Sequence, residues 1–133
     1  MNENPTNNPS VEEVHTLPIT VHSAPFVFDS DIEWERTPDP GEVYRKVMAY
    51  NDNLMVVKVK FKAGSCGNMH SHPHCQITFV ESGVFEFTIG NETRIVRAGD
   101  MLMKVPDVVH GCKCLEDGML IDTFTPMRKT FLK

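Results

Sequence analysis

Residues 64–83 read GSCGNMHSHPHCQITFVESG, and residues 99–110 read GDMLMKVPDVVH. Glycine brackets the first stretch and opens the second, and between them they supply three imidazoles and an amide: His70, His72, Gln76 and His110. Imidazole nitrogen is the usual ligand for Zn, Ni, Fe or Cu, and three protein histidines with open positions is an arrangement that catalytic metals use. Residues two apart on a strand share a face. A strand through His70, His72 and Gln76 would therefore aim all three at one point, with His110 arriving from another strand. Paired with the glycines, the amide and the distant histidine, the HxH is far more specific than it is alone. We read the four residues as a site for one divalent metal ion, with three His and a Gln accepting Ni, Zn, Fe, Mn or Co alike.

Outward from this core the pattern is β throughout. VYRKVMAY, LMVVKVKF, QITFV, VFEFTI, TRIVR, MLMKV and GMLIDTF follow one another from residue 43 onward, separated by Gly, Asn, Asp and Pro. Residues 85–89 alternate apolar and polar, and Gly90-Asn91 is a hairpin turn signal. Short, evenly spaced strands of this kind predict an all-β sandwich or barrel. Helical signal is confined to a single turn over residues 128–132. Residues 1–24 are expected to be a flexible tail that carries an edge strand at 17–21, and residues 25–133 to form the one folded domain.

With 133 residues the chain is long enough to bury most of its apolar surface without staples. A hydrophobic fraction of 41% and a charged fraction of 23% are those of a globular chain. The formal net charge of -5, without any basic run, argues against nucleic acid and against a membrane surface as partners. MNENPTNNPS shows neither a basic nor an apolar targeting region, so the cytoplasm is the expected location. The four cysteines, Cys66, Cys75, Cys112 and Cys114, are then expected as reduced thiols.

The glycine–histidine spacing resembles the two motifs of the cupin superfamily: Gly64-x5-His70-x-His72-x3-Gln76-x6-Gly83, then Gly99-Asp100 through Pro106 to His110. That resemblance implies a jelly-roll barrel (a double-stranded β-helix) with a metal at its centre. Two departures stand out. Gln76 occupies a position where many cupins carry Glu, and Val105 and Asp107 stand where Pro and Gly are common. RKVMAYNDNLMVVKVKF, HSHPHCQITFVESGVFEFTIG and LIDTFTPMRKTFL resemble, more narrowly, the pectin degradation protein family of cupins. This resemblance implies a small anionic sugar substrate. It is a 4,5-unsaturated uronate monosaccharide left by pectin and alginate lyases, which is converted to its linear keto form. It also implies a homodimer. The metal positions fall on His70, His72, Gln76 and His110, and the catalytic and substrate-contacting positions on Asp122, Phe124 and Arg128.

The residues themselves agree with that chemistry. Three neutral imidazoles and a neutral amide leave a metal's charge uncompensated, which suits an anionic ligand such as a carboxylate or enolate. In 120–124, LIDTF, Asp122 and Phe124 share one face, and an inward acid is costly unless it is paired or functional. Arg128 offers a planar fork to a carboxylate. Pro73 should interrupt the strand before His74, giving that residue a solvent-facing or supporting role. Two competing readings remain: a metal-dependent dioxygenase, which predicts oxygen dependence, and a non-catalytic sugar-sensing cupin, for which an inward acid has no use.

Overall fold

The computed structural model describes residues 18–132. Most of the expected tail lies outside them. Residues 18–21 belong to no strand; the Asp52 carboxylate holds them by accepting from Thr20 N and Oγ1 and from Val21 N at 2.7–2.8 Å.

Among the described residues, eight strands form the fold: β1 (Glu35–Arg36), β2 (Val43–Asn51), β3 (Leu54–Phe61), β4 (Cys66–His70), β5 (Cys75–Ile89), β6 (Glu92–Arg97), β7 (Met101–Lys104) and β8 (His110–Thr125). All pairings are antiparallel, in the order β1-β2-β3-β8-β5-β6, with β4 laid on β8 and β7 on β5. This is the expected all-β jelly roll. A 3-10 turn, Lys129–Phe131, answers the helical signal near the C-terminus, and a second lies at Asp29–Asp31. No helix among the described residues is long and apolar enough to cross a membrane.

The sequence segments QITFV and VFEFTI are halves of one 15-residue strand, β5. In its first half Gln76, Thr78 and Val80 are buried; in its second half Phe85 and Phe87 are. Even positions give way to odd because the β5–β8 register shifts repeatedly between Val80 and Phe85. A bulge of this kind turns the other set of side chains inward. Gly83 makes it sterically feasible. Its φ is 84°, and a Cβ there would lie 2.5 Å from Gly118 Cα and 2.6 Å from Asp117 O.

Apolar residues collect in two groups. Val43, Phe61, Val80, Phe85, Phe87, Leu102, Cys114 and Leu120 fill one part of the barrel, with Phe61 and Phe85 edge-to-face at 5.3 Å. Met55, Val57, Phe124 and Met127 form the other. Each such side chain contributes about 1.5–3 kcal/mol when fully buried. Between the two groups the interior is polar, and Gln76, Thr78, Lys104, His110 and Asp122 are all buried there.

Gly83→Ala should destabilise the protein by at least about 2 kcal/mol, since it combines a left-handed backbone with a backbone clash. The thermal midpoint should fall by roughly 6 °C or more. An unchanged midpoint by calorimetry would contradict this account of the bulge.

Candidate metal centre and acid cluster

His70 closes β4 and His110 opens β8, and the two are direct cross-strand partners. Their rings sit 4.5 Å apart, and the His72 ring lies 5.5 and 5.0 Å from them. One nitrogen from each of the three falls within 4.8 Å of the others. The expected convergence is therefore present, but not through one continuous strand. His72 lies in the loop between β4 and β5, next to Pro73. That loop is pinned from the far side, where Asp107 N–H donates to His72 O at 2.8 Å. Asp107 has a φ of 67°, taking the left-handed conformation that Gly more commonly supplies and that Asp tolerates.

Local hydrogen bonds orient the rings. His70 Nδ1 is 2.6 Å from Asn68 O, and His110 Nδ1 is 3.0 Å from Val108 O. A ring that donates from Nδ1 carries its lone pair on Nε2. His110 Nε2 is buried and without a hydrogen-bond partner, as is His72 Nδ1. Burial, foremost, and then the charge of Lys104 hold the His110 imidazole down at a pKa of about 3. Burial and Arg128 depress that of His72 likewise. Gln76 Oε1 lies 2.9 Å from His72 Nε2, which brings a neutral amide oxygen beside the cluster. Buried, unpartnered nitrogens on His72 and His110, in rings held by local hydrogen bonds, fit a divalent ion.

His74 is outside this group. Its Nε2 is 3.3 Å from Met127 O and its ring is edge-on to His72 at 5.3 Å, a supporting position. Burial pushes the Cys112 and Cys114 thiols up to about 12 and about 11.

Beside the histidines opens a cavity of about 300 Å³ lined by His70, Gln76, His110, Asp122, Phe124 and Arg128, together with Arg45 and Lys104. Asp122 is 8% exposed, and its Oδ1 accepts from Thr78 Oγ1 at 2.6 Å. Phe124 is a core residue, 2% exposed, edge-on to Phe131 at 5.8 Å and to His72 at the same distance. The Arg128 guanidinium lies 4.2 Å from the Phe131 ring centre and 5.3 Å from that of Phe124, with its Nε buried and unpartnered. Arg45 reaches Phe131 as well, at 4.0 Å.

Sequence reasoning missed Lys104, Thr78 and Arg45. Lys104 is 3% exposed and donates from Nζ to Thr78 Oγ1 at 2.9 Å. Burial drives its pKa down, and the charge of Asp122 opposes that shift. Its signal was its parity with Leu102, the buried residue two positions earlier. Thr78 likewise follows Gln76 in phase. Arg45 gave no signal in the β2 pattern.

The model of the cupin domain matches residues 57–123. Over 109 residues the sequence is 41% identical to the pectin degradation protein KdgF of Dickeya dadantii (strain 3937), covering 80% of this chain and 97% of that one. The chain is a cupin of the pectin degradation protein family. Two solved structures agree. An RmlC-like cupin from Shewanella frigidimarina NCIMB 400 has a TM-score of 0.78 at 34% identity, over 84% of this chain and 98% of that one. KdgF from Halomonas sp. has a TM-score of 0.76 at 35% identity, over 83% and 100%.

The ligand set of this cupin is tested by heating it with and without Co2+. At a concentration about one hundred times the Kd, the ion should add about 2.7 kcal/mol to folding stability. His110→Ala should lose that increment whatever its own midpoint, and an equal gain in both proteins would contradict the assignment.

Proposed function

We propose that this cupin converts 4,5-unsaturated uronate monosaccharides into linear 5-keto uronates by ring opening and tautomerisation. The observation that carries the reading is the meeting, in one cavity, of a histidine cluster, a buried carboxylate and two guanidinium groups. The name of the relative in Dickeya, a pectin degradation protein, supports a pectin-derived substrate. Within a chain of net charge -5, this cavity concentrates cations around a single buried acid. A sugar carboxylate fits those cations, whereas an apolar substrate would leave them without partners.

His70, His72, Gln76 and His110 would hold one divalent ion, which when bound supplies a Lewis-acid centre for an anionic oxygen. The remaining steps belong to the side chains. Arg128, with Arg45 beside it, binds the C6 carboxylate as a planar donor. Phe124 walls the cavity and keeps water from the ring. Asp122 accepts the proton of the C1 hydroxyl. The bond from C1 to the ring oxygen breaks, its electron pair stays on that oxygen, and the result is an aldehyde at C1 and an enolate at C5. Proton return at C4 gives the 5-keto acid. No atom is gained or lost, and no oxidant is consumed.

Two comparisons test this. Unsaturated uronate monomer, freshly made by exhaustive lyase digestion, should lose its conjugated absorbance faster with protein than without. The acceleration should persist under argon, vanish after chelator dialysis and return with metal. Asp122→Asn should reduce kcat by about 10²–10⁴-fold with metal content unchanged. Full activity in that variant would remove Asp122 from the mechanism. A fully metallated wild-type protein without acceleration would remove the uronate reading, and turnover only in air would favour an oxygenase.

A further inference from the structure

Thr78 is buried completely and sits on the sheet at the crossing of two rows. Asp122 faces it across β5–β8, and Gln76, one inward position earlier on β5, faces Lys104 across β5–β7. Three side chains meet at its hydroxyl. Lys104 Nζ donates to Oγ1 at 2.9 Å, Gln76 Nε2 donates to it at 3.2 Å, and Oγ1 donates to Asp122 Oδ1 at 2.6 Å. A threonine hydroxyl has one proton and two lone pairs. An ammonium group and an amide NH2 can only donate. Both lone pairs are therefore taken, and the one proton has a single place to go.

The geometry points to Thr78, held by Lys104, as a positioning residue that links the metal centre to the acid. On one side it fixes the Gln76 amide. With Nε2 committed to Thr78, Oε1 must turn toward His72 and present its lone pairs to the histidine cluster. On the other side it fixes Asp122 as a hydrogen-bond acceptor at Oδ1, leaving Oδ2 as the oxygen that Thr78 does not engage. Lys104 also lies 4.6 Å from the Phe87 ring centre, so its head is held between an aromatic face and the hydroxyl. A buried ammonium without partners is costly. A core built for stability alone would place an aliphatic residue at 104, as at Leu102. The same hydroxyl thus sets which atom of Gln76 faces the ion and which oxygen of Asp122 is spoken for.

The Asp122 half of this assignment rests on the proposed reaction; the Gln76 half does not. Competition with a chromophoric chelator gives the Co2+ affinity of wild type, Thr78→Val and Thr78→Ser, and the uronate assay gives their kcat and KM. Removing the hydroxyl in Thr78→Val should weaken Co2+ binding about 10–100-fold, the usual cost of losing a group that orients a ligand. It should also lower kcat at least about tenfold under saturating metal, with KM changed far less, as expected when a group acts in the transition state alone. Thr78→Ser, which keeps the hydroxyl, should recover both. If Thr78→Val does not fold, Thr78→Ala carries the same deletion without a clash. Wild-type Co2+ affinity in the hydroxyl-free variant overturns the assignment, as does wild-type kcat there, or a serine variant no better than valine. If wild type itself does not turn over the uronate, the reaction fails and the three affinities still decide the role of Thr78.

Discussion

The parity change inside β5 is the constraint on which the rest of this molecule depends. Without the bulge at Gly83, the face that presents Gln76, Thr78 and Val80 would go on to present Val84, Glu86 and Thr88. With it, Phe85 and Phe87 enter the core instead. One strand thereby supplies a polar floor for the site and, a few residues later, the aromatic plug beside it. Gly118 of β8 must pass almost touching for this to happen, because a Cβ there would come within 2.3 Å of Ser82 O and 2.8 Å of Gly83 Cα. Steric exclusion at two glycines, rather than any attractive contact, sets where the barrel turns.

The polar interior that results is held in a single orientation by saturation. Its donors outnumber its acceptors: Lys104 and Gln76 both donate to Thr78, and only Asp122 is left to receive its proton. Such a network is expensive when half satisfied and specific when complete. At the histidines the balance is reversed, with nitrogen atoms buried and lacking partners. A bound cation would complete that half. An anion would complete the other, where Arg128 Nε is buried and unpartnered and Arg45 and Arg128 share one aromatic ring. The site thus offers groups suited to a cation and to an anion side by side, as the proposed reaction would require.

Much of this was legible in the sequence, for physical reasons that differ from element to element. The strands β2, β3, β6 and β7 were visible through alternation and turn residues, and His70, His72, Gln76 and His110 through spacing and residue type. His72 was recovered by an incomplete argument: strand parity aimed it correctly, whereas in the structure its backbone is held by Asp107 across the loop. Strand β4, CGNMH, was hidden because its small and polar residues carry no apolar alternation. The union of two segments into β5 was hidden because a bulge erases the period that would reveal it. Lys104 and Thr78 escaped notice for a third reason. Lysine beside methionines on a strand ordinarily extends to solvent, and threonine is an ordinary β residue. Only the three-dimensional crossing of rows shows that one donates to the other inside the barrel.

The most direct test is anomalous diffraction from crystals of the Co2+-loaded protein. We predict a single strong peak coordinated by His70, His72, Gln76 through Oε1, and His110, with its open side toward Asp122 and Arg128. A peak held instead by His74 or a cysteine, or none at this cluster in protein shown to contain one ion per chain, would contradict the account.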